Sequence, residues 1–117
     1  MQATSEVELD IFSGRPNPAW TLTGAESDGL AERLAALPPA APEELHTNLG
    51  YRGLIVTIRQ PDGEATVRIQ AGIAETTKSG RIVYHEDPNR ALEHWLIATG
   101  KAHLPPDIQQ IVQRALE

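Results

Sequence analysis

The densest group of side chains that could do chemistry is the run Tyr84-His85-Glu86-Asp87. A histidine beside a carboxylate can act as a general base, or the two can share a metal ion with a third ligand. Adjacent residues of a strand point to opposite faces, however, so His85 and Glu86 would diverge if this run is extended. Asp87 followed by proline is also a good helix start, which gives it a structural role. His85 and Glu86 are therefore catalytic candidates, but a purely structural role of this run is also open.

A second unusual stretch is the loop Phe12–Trp20, with the sequence Phe-Ser-Gly-Arg-Pro-Asn-Pro-Ala-Trp. Gly14 permits backbone angles that other residues avoid, and the two prolines restrict both themselves and the residues before them. Asn17 can form an Asx turn with its own backbone. We therefore expect a stiff loop, which loses little entropy when it binds a carboxylate, a phosphate or a partner chain.

The side chains that this loop and its expected neighbours would offer include a guanidinium, an amide, a hydroxyl and an aromatic ring. The candidate ligand- or partner-binding residues are Ser13, Arg15, Asn17, Trp20, Tyr51 and Arg52. A structural interpretation is also open, in which Arg15 bridges to a carboxylate while Phe12 and Trp20 enter the core. Ion-pair networks of that kind often resemble functional sites.

Several kinds of chemistry have no recognisable motif in the sequence. Neither a dinucleotide fingerprint nor a phosphate loop is found, and Ser13 does not lie in a nucleophile elbow. Glu6, Glu8 and Asp10 share one face of a predicted strand, where they form a cation site, a solvated polar face or a face paired with neighbouring arginines. We predict no cofactor and no metal.

Composition narrows the class of partner. The chain has 117 residues, which favours one domain over residues 1–117, and it contains no cysteine. A net charge of −6 with only two lysines, Lys78 and Lys101, argues against nucleic acid and anionic membranes as partners. The N-terminus lacks the basic flank and apolar run of a signal peptide, so a cytoplasmic location is expected.

The periodicity of hydrophobic residues predicts the secondary-structure elements. Residues 5–12 alternate as a strand, and Thr23 with Glu26 forms a capping box for a helix over Ala25–Leu37. Strands over 51–60 and 65–71 flank a turn at Pro61–Glu64.

The second half continues with a turn at Thr76–Gly80 and a strand over Arg81–His85. Helices follow from Asp87 to about Gly100 and over Pro106–Leu116. The order β-α-β-β-β-α-α predicts an α+β fold, with a mostly antiparallel sheet of about four strands and three helices on one face.

Three functions fit these observations. The favoured one is a small binding module that presents the Ser-Gly-Arg-Pro-Asn-Pro loop to an unknown protein or small anionic ligand. The second is a small enzyme or metal-dependent enzyme at residues 84–87, which predicts a pocket where this junction meets the loop. The third is a homo-oligomeric structural protein that associates through a sheet edge or through the stripe Ile108, Ile111 and Val112.

Overall fold

The computed structural model describes residues 4–12, 14, 16–45 and 50–116. Within them the chain forms one antiparallel sheet of six strands together with three α-helices. The strands are β1 (Thr4–Leu9), β2 (Ala19–Thr21), β3 (Leu54–Gln60), β4 (Gly63–Gln70), β5 (Ile73–Lys78) and β6 (Arg81–Glu86). The helices are α1 (Gly24–Ala35), α2 (Ala91–Gly100) and α3 (Pro106–Leu116). Short 3-10 turns at Pro88–Arg90 and Lys101–His103 flank α2.

The strands lie in the order β2-β1-β3-β4-β5-β6. The α+β class is confirmed, but the prediction of about four strands is wrong because the sheet has six. β2 is only three residues long and follows a loop that contains two prolines. β5 includes Thr76, Thr77 and Lys78, which local polarity assigned to a turn. The real turn is limited to Ser79 and Gly80, whose φ angles of 52° and 77° are those of a tight hairpin.

The apolar core lies between one face of the sheet and the helices. Because directly opposed residues of neighbouring strands share a face, the register places Val7, Val56 and Val67 in one row and Leu9, Leu54 and Ile69 in the next. These residues form one buried cluster with helix residues, which include Leu30, Leu92, Leu96, Ile108 and Val112. The opposite face of the sheet, here called the open face, carries the alternate residues of the strands.

Helix α1 begins as the capping box predicts. The Glu26 N–H donates to the Thr23 hydroxyl at 3.1 Å, and the Thr23 N–H donates to the Glu26 carboxylate at 2.9 Å. The helix ends at Ala35, two residues before the predicted end. The bounds of α3 are those predicted. No helix among the described residues is both long and apolar enough to span a lipid bilayer.

The connection after α1 covers part of the far edge of the sheet. The Ala40 N–H donates to the Tyr84 carbonyl at 3.0 Å, and the Glu86 N–H donates to the Pro38 carbonyl at 2.8 Å. These bonds add a short antiparallel bridge to the second half of β6. The connection therefore protects residues 84–86 of an edge strand that would otherwise be open.

Candidate functional site

Most of the buried polar side chains lie at one end of the sheet. This end is marked by the row Leu9, Leu54, Ile69, Ala74 and His85, one residue from each of five neighbouring strands. The chain segments that leave the row carry the buried polar residues Asp10, Gln70, Asp87 and Glu93. We call these four residues, together with Tyr51, Arg52 and Arg90, the polar end. A concentration of buried polar groups is the usual first candidate for a site.

Glu93 is the centre of the polar end and is fully buried. It accepts a hydrogen bond of 2.5 Å from the Tyr51 hydroxyl and two of 2.8 Å from the guanidinium of Arg90. Burial, reinforced by the charge of Glu93, raises the pKa of the Tyr51 hydroxyl above its ordinary value. The hydrogen bond to Glu93 likewise raises the pKa of Arg90. Tyr51 therefore remains a protonated donor, and the Glu93 carboxylate is occupied by internal partners.

Arg90 joins three elements in a backbone conformation that is unusual for arginine. Its φ is 54°, and that of Asn89 before it is 58°, so two consecutive non-glycine residues are left-handed. Such strain persists only where the surroundings hold it. Besides its bonds to Glu93 on α2, the guanidinium donates to the Ala115 carbonyl of α3 at 3.1 Å. Arg90 thus ties the start of α2 to the end of α3.

Asp87 caps the first turn of α2 with its side chain, although the N-cap residue of this helix is Arg90 and not Asp87 as predicted. Its two carboxylate oxygens accept the N–H groups of Leu92 and Glu93 at 2.8 and 3.1 Å. Since the first N–H groups of a helix have no intrahelical acceptor, both bonds satisfy donors that would otherwise be buried without partners.

Arg52, a predicted contact residue, has internal partners. Its guanidinium donates to the Asp10 carboxylate at 2.9 Å and to the Phe12 carbonyl at 3.1 Å. Both side chains of the Arg52–Asp10 ion pair are only 13% exposed. Gln70 donates to the Arg52 carbonyl at 2.9 Å. These bonds fix the segment that leads into β3 against the end of β1.

Asn17 braces the loop between β1 and β2. Its side-chain oxygen accepts from the N–H groups of Ile11 and Phe12 at 3.1 and 2.7 Å, and its amide nitrogen donates to Glu8 at 2.7 Å. These bonds tie Asn17 to residues five to nine positions earlier in the chain, and the stiffness of the loop stays a prediction. Ser13 and Arg15, the other two loop candidates, lie outside the described residues.

Trp20 belongs to the core and is 4% exposed. Its indole N–H donates to the Thr99 hydroxyl at 3.0 Å, and its ring lies parallel to His103, with the ring centroids 6.4 Å apart. A side chain at Gly100 would overlap the indole, so the helix approaches the ring as closely as glycine permits. Such packing is the alternative interpretation considered for Trp20 in the sequence.

His85 and Glu86 lie on β6, away from the loop. His85 opposes Ala74 in the row that ends at Leu9, so three strands separate β6 from β1. At about 4.8 Å between neighbouring strands, the four spacings from β1 to β6 place these two strands ~19 Å apart. The pocket that the enzyme hypothesis requires, with the loop and residues 84–87 on its walls, is not favoured by this strand order. No group of three or more histidine, aspartate or glutamate side chains suited to a metal occurs among the described residues.

A different feature, at the outer edge of β6, is exposed. Ile82 and Val83 are 56% and 50% exposed, the highest fractions among the large apolar residues that the structure describes. Within the described part of the chain, no strand pairs with the outer side of Gly80–Val83, which we call the free edge. A shallow cavity of about 500 Å3 adjoins it and is lined by Thr76, Lys78, Ser79, Arg81, Ile82 and Val83.

Sequence reasoning missed Glu93 and Arg90 at the polar end. The signal for Glu93 was its position, because residues 92, 93, 96 and 100 all lie on the buried side of α2. A glutamate within an apolar stripe calls for a buried partner. The partner Tyr51 is 42 residues away, so local sequence could not identify it.

Comparison with known proteins found no relative of this chain. No protein-family model, no curated protein and no solved structure matches it.

Proposed function

We propose that the protein is a small binding module that receives an extended segment of another protein as a seventh strand on β6. The observation that carries the proposal is the free edge, where Ile82 and Val83 are exposed beside backbone that pairs with no other described strand. Addition of a strand to an open sheet edge is a recurrent mode of peptide recognition, in which backbone bonds give affinity and side chains give specificity.

The backbone of the free edge is oriented to pair outward. The Tyr84 carbonyl and the Glu86 N–H bond to the connection after α1, so these residues point away from β5. In an antiparallel ladder the direction alternates from residue to residue. The N–H and carbonyl of Ile82 therefore also point away from β5, where they can each bond an added strand.

The rest of the molecule shows how an edge can be closed. β2, at the other side of the sheet, has only three residues and follows a loop with two prolines. Pro38–Ala40 covers the second half of β6. Short edge strands, prolines and covering loops are the usual protection against unwanted pairing. The free edge is also short, but within the described part of the chain it carries no proline and no covering segment, which supports a role in binding.

Side chains on both faces of the sheet would contact the added strand. Ile82 opposes Thr77 on the open face, whereas Val83 opposes Thr76 on the face that carries the core. Cross-strand pairs that involve β-branched residues contribute about 0.2–1 kcal/mol each relative to alanine pairs. The free edge therefore combines two outward backbone groups with an apolar side chain on each face.

A pair of substitutions at one position tests this proposal. The probe is a blocked peptide that alternates threonine and valine, and binding is followed by amide NMR spectra and calorimetry. Ile82→Pro removes the outward N–H without removing a bond to β5, a place where edge strands tolerate proline. Ile82→Thr keeps the N–H and the β-branched shape.

We expect peptide binding to shift the amides of residues 80–84 in the wild type. Ile82→Thr should weaken binding, and Ile82→Pro should abolish it. If the amides of residues 80–84 do not respond to the peptide, or if Ile82→Pro binds as well as the wild type, strand addition on β6 is refuted.

The loop between β1 and β2 remains a second candidate contact surface. The bracing by Asn17 favours it, since a loop already held in place loses little entropy on binding. Here Asn17 and Arg52 support the loop through bonds to the backbone of residues 11 and 12, and Arg15 would be the contact residue for a small anion. Titration with inorganic phosphate should give saturable binding that Arg15→Ala removes. Equal binding by the two proteins would refute this surface.

A further inference from the structure

We infer that the segment received by β6 runs antiparallel to it and carries two apolar residues followed by an acidic one. This inference rests on the proposed function and adds the chemistry of the partner. It uses three properties of the free edge, namely the side-chain register, the position of the connection Pro38–Ala40 and the local charge.

The charge next to the free edge is opposite to that of the whole chain. The protein has a formal charge of −6, yet the last pair of the β5–β6 hairpin is Lys78 opposite Arg81. The Lys78 ammonium is held by Asp62 at 3.1 Å and by Gln60 at 3.2 Å. Arg81 is exposed, and it makes no ion pair with any residue that the structure describes. A carboxylate on an added strand would therefore find an available cation at Arg81.

The register of β6 fixes where that carboxylate must be. Arg81 and Val83 lie on the face of the sheet that carries the core, and Ile82 lies on the open face. Residues of an added strand that lie opposite these three positions share their faces. The residues opposite Val83 and Ile82 should be apolar and β-branched, and the residue opposite Arg81 should be acidic.

The connection after α1 indicates the direction of the added strand. Pro39 bridges to His85 in antiparallel orientation, and Ala40 bonds to Tyr84. An added strand with the same orientation would begin beside Val83, where the connection leaves β6, and would end beside Arg81. Antiparallel pairing is also slightly more stable per residue than parallel pairing. Read from its N-terminus, the segment is therefore apolar, β-branched and then acidic.

A second copy of the protein does not provide this pattern. Two-fold pairing of β6 about Ile82 would place the partner's Val83 opposite Arg81, which leaves the guanidinium without a carboxylate. The free edge also spans only four residues, about 13 Å of strand. Stable dimers bury roughly 1,200–2,000 Å2 in total, which a contact of this length does not approach.

Three blocked peptides that differ at one position test the inference. They share the sequence Thr-Val-Ile-X-Thr, where X is glutamate, glutamine or lysine. Their affinities are measured by calorimetry at low salt against the wild type, Arg81→Glu and Arg114→Glu. Arg114 is an exposed residue at the end of α3, so its substitution controls for the change in net charge.

For the wild type we expect the glutamate peptide to bind about two- to five-fold more tightly than the glutamine peptide, in line with exposed ion pairs. The lysine peptide should bind more weakly than both. Arg81→Glu should reverse the order, with the lysine peptide tightest, whereas Arg114→Glu should keep the wild-type order. Added salt should remove most of the preference.

Other results would overturn the inference in distinguishable ways. If all three peptides bind equally and Ile82→Pro abolishes binding, strand addition stands but the acidic partner is refuted. If no peptide binds and residues 80–84 show no spectral change, the proposed function fails as well. A dimer in sedimentation experiments that Ile82→Pro dissociates would identify a second copy as the occupant of β6.

Discussion

The substitution Tyr51→Phe tests whether the polar end is closed to solvent. It removes one hydroxyl from Glu93 and leaves the two bonds from Arg90 in place. Loss of a hydrogen bond to a buried group costs about 1–3 kcal/mol. At neutral pH we therefore expect a free energy of unfolding that is lower by this amount in the variant.

The pH dependence of this difference is the sharper part of the prediction. Burial and the Glu93 carboxylate raise the pKa of the Tyr51 hydroxyl in the folded protein. In the unfolded chain the same hydroxyl ionises near pH 10. The stabilisation is complete below that pH and is lost progressively above it, because at first only the unfolded chain releases the proton. One pH unit above the unfolded pKa, the loss is about 1.4 kcal/mol.

The measurement is urea-induced unfolding of the wild type and Tyr51→Phe at pH 7 and pH 11. Groups that the two proteins share cancel in the difference between them. We expect the advantage of the wild type to shrink by ~1.4 kcal/mol at pH 11. An advantage that is the same at both pH values would mean that Tyr51 ionises normally in the folded protein. The argument that the polar end is closed and internally satisfied would then be refuted.

Three further substitutions, two of them with a matched second variant, test the supporting structure by the same unfolding assay. Gly100→Ala should lower stability by ~1–3 kcal/mol because its Cβ would overlap Trp20. The matched Gly29→Ala, whose nearest neighbour is a flexible arginine end at 3.1 Å, should be neutral or stabilising by up to ~1 kcal/mol, and equal effects would contradict the packing argument. Asn17→Ala should cost about 1–3 kcal/mol, and an unchanged stability would show that the loop does not need its brace. Asp87→Ala should cost about 0.5–2 kcal/mol, partly recovered by Asp87→Asn, and no loss would contradict its role as the cap of α2.

The sequence predicted those secondary-structure elements that depend on residues close together in the chain. The capping box of Thr23 and Glu26 needs only residues three apart, and it marks the start of α1 within one residue. The turn after β3 contains Pro61, and it lies between the strands that were predicted on either side. β5 was missed because threonine and lysine beside a Ser-Gly pair have the composition of a turn. Only pairing with β4 and β6 makes that stretch a strand.

The candidate site was less predictable because its interactions join distant residues. The sequence predicted that Asn17 can bond its own backbone, but the acceptor of its amide, Glu8, lies nine residues earlier, on β1. Tyr51 was placed on a contact surface because its partner Glu93, on a helix late in the chain, could not be inferred. For the same reason Arg52 was assigned to the contact surface, although its guanidinium is held by Asp10 at 2.9 Å.

The distribution of polar contacts explains why the proposed binding surface is the free edge and not the polar end. The buried carboxylates Asp10, Asp87 and Glu93 all accept hydrogen bonds from within the chain. Removing one partner from such a network leaves a buried charge unpaired, so a ligand that displaced one would have to replace every bond it broke. A strand added at Gly80–Val83 breaks no internal bond with the described residues, and it satisfies backbone groups that now face water. Binding at the free edge therefore leaves the fold intact, which is the condition that a small domain with one core must meet.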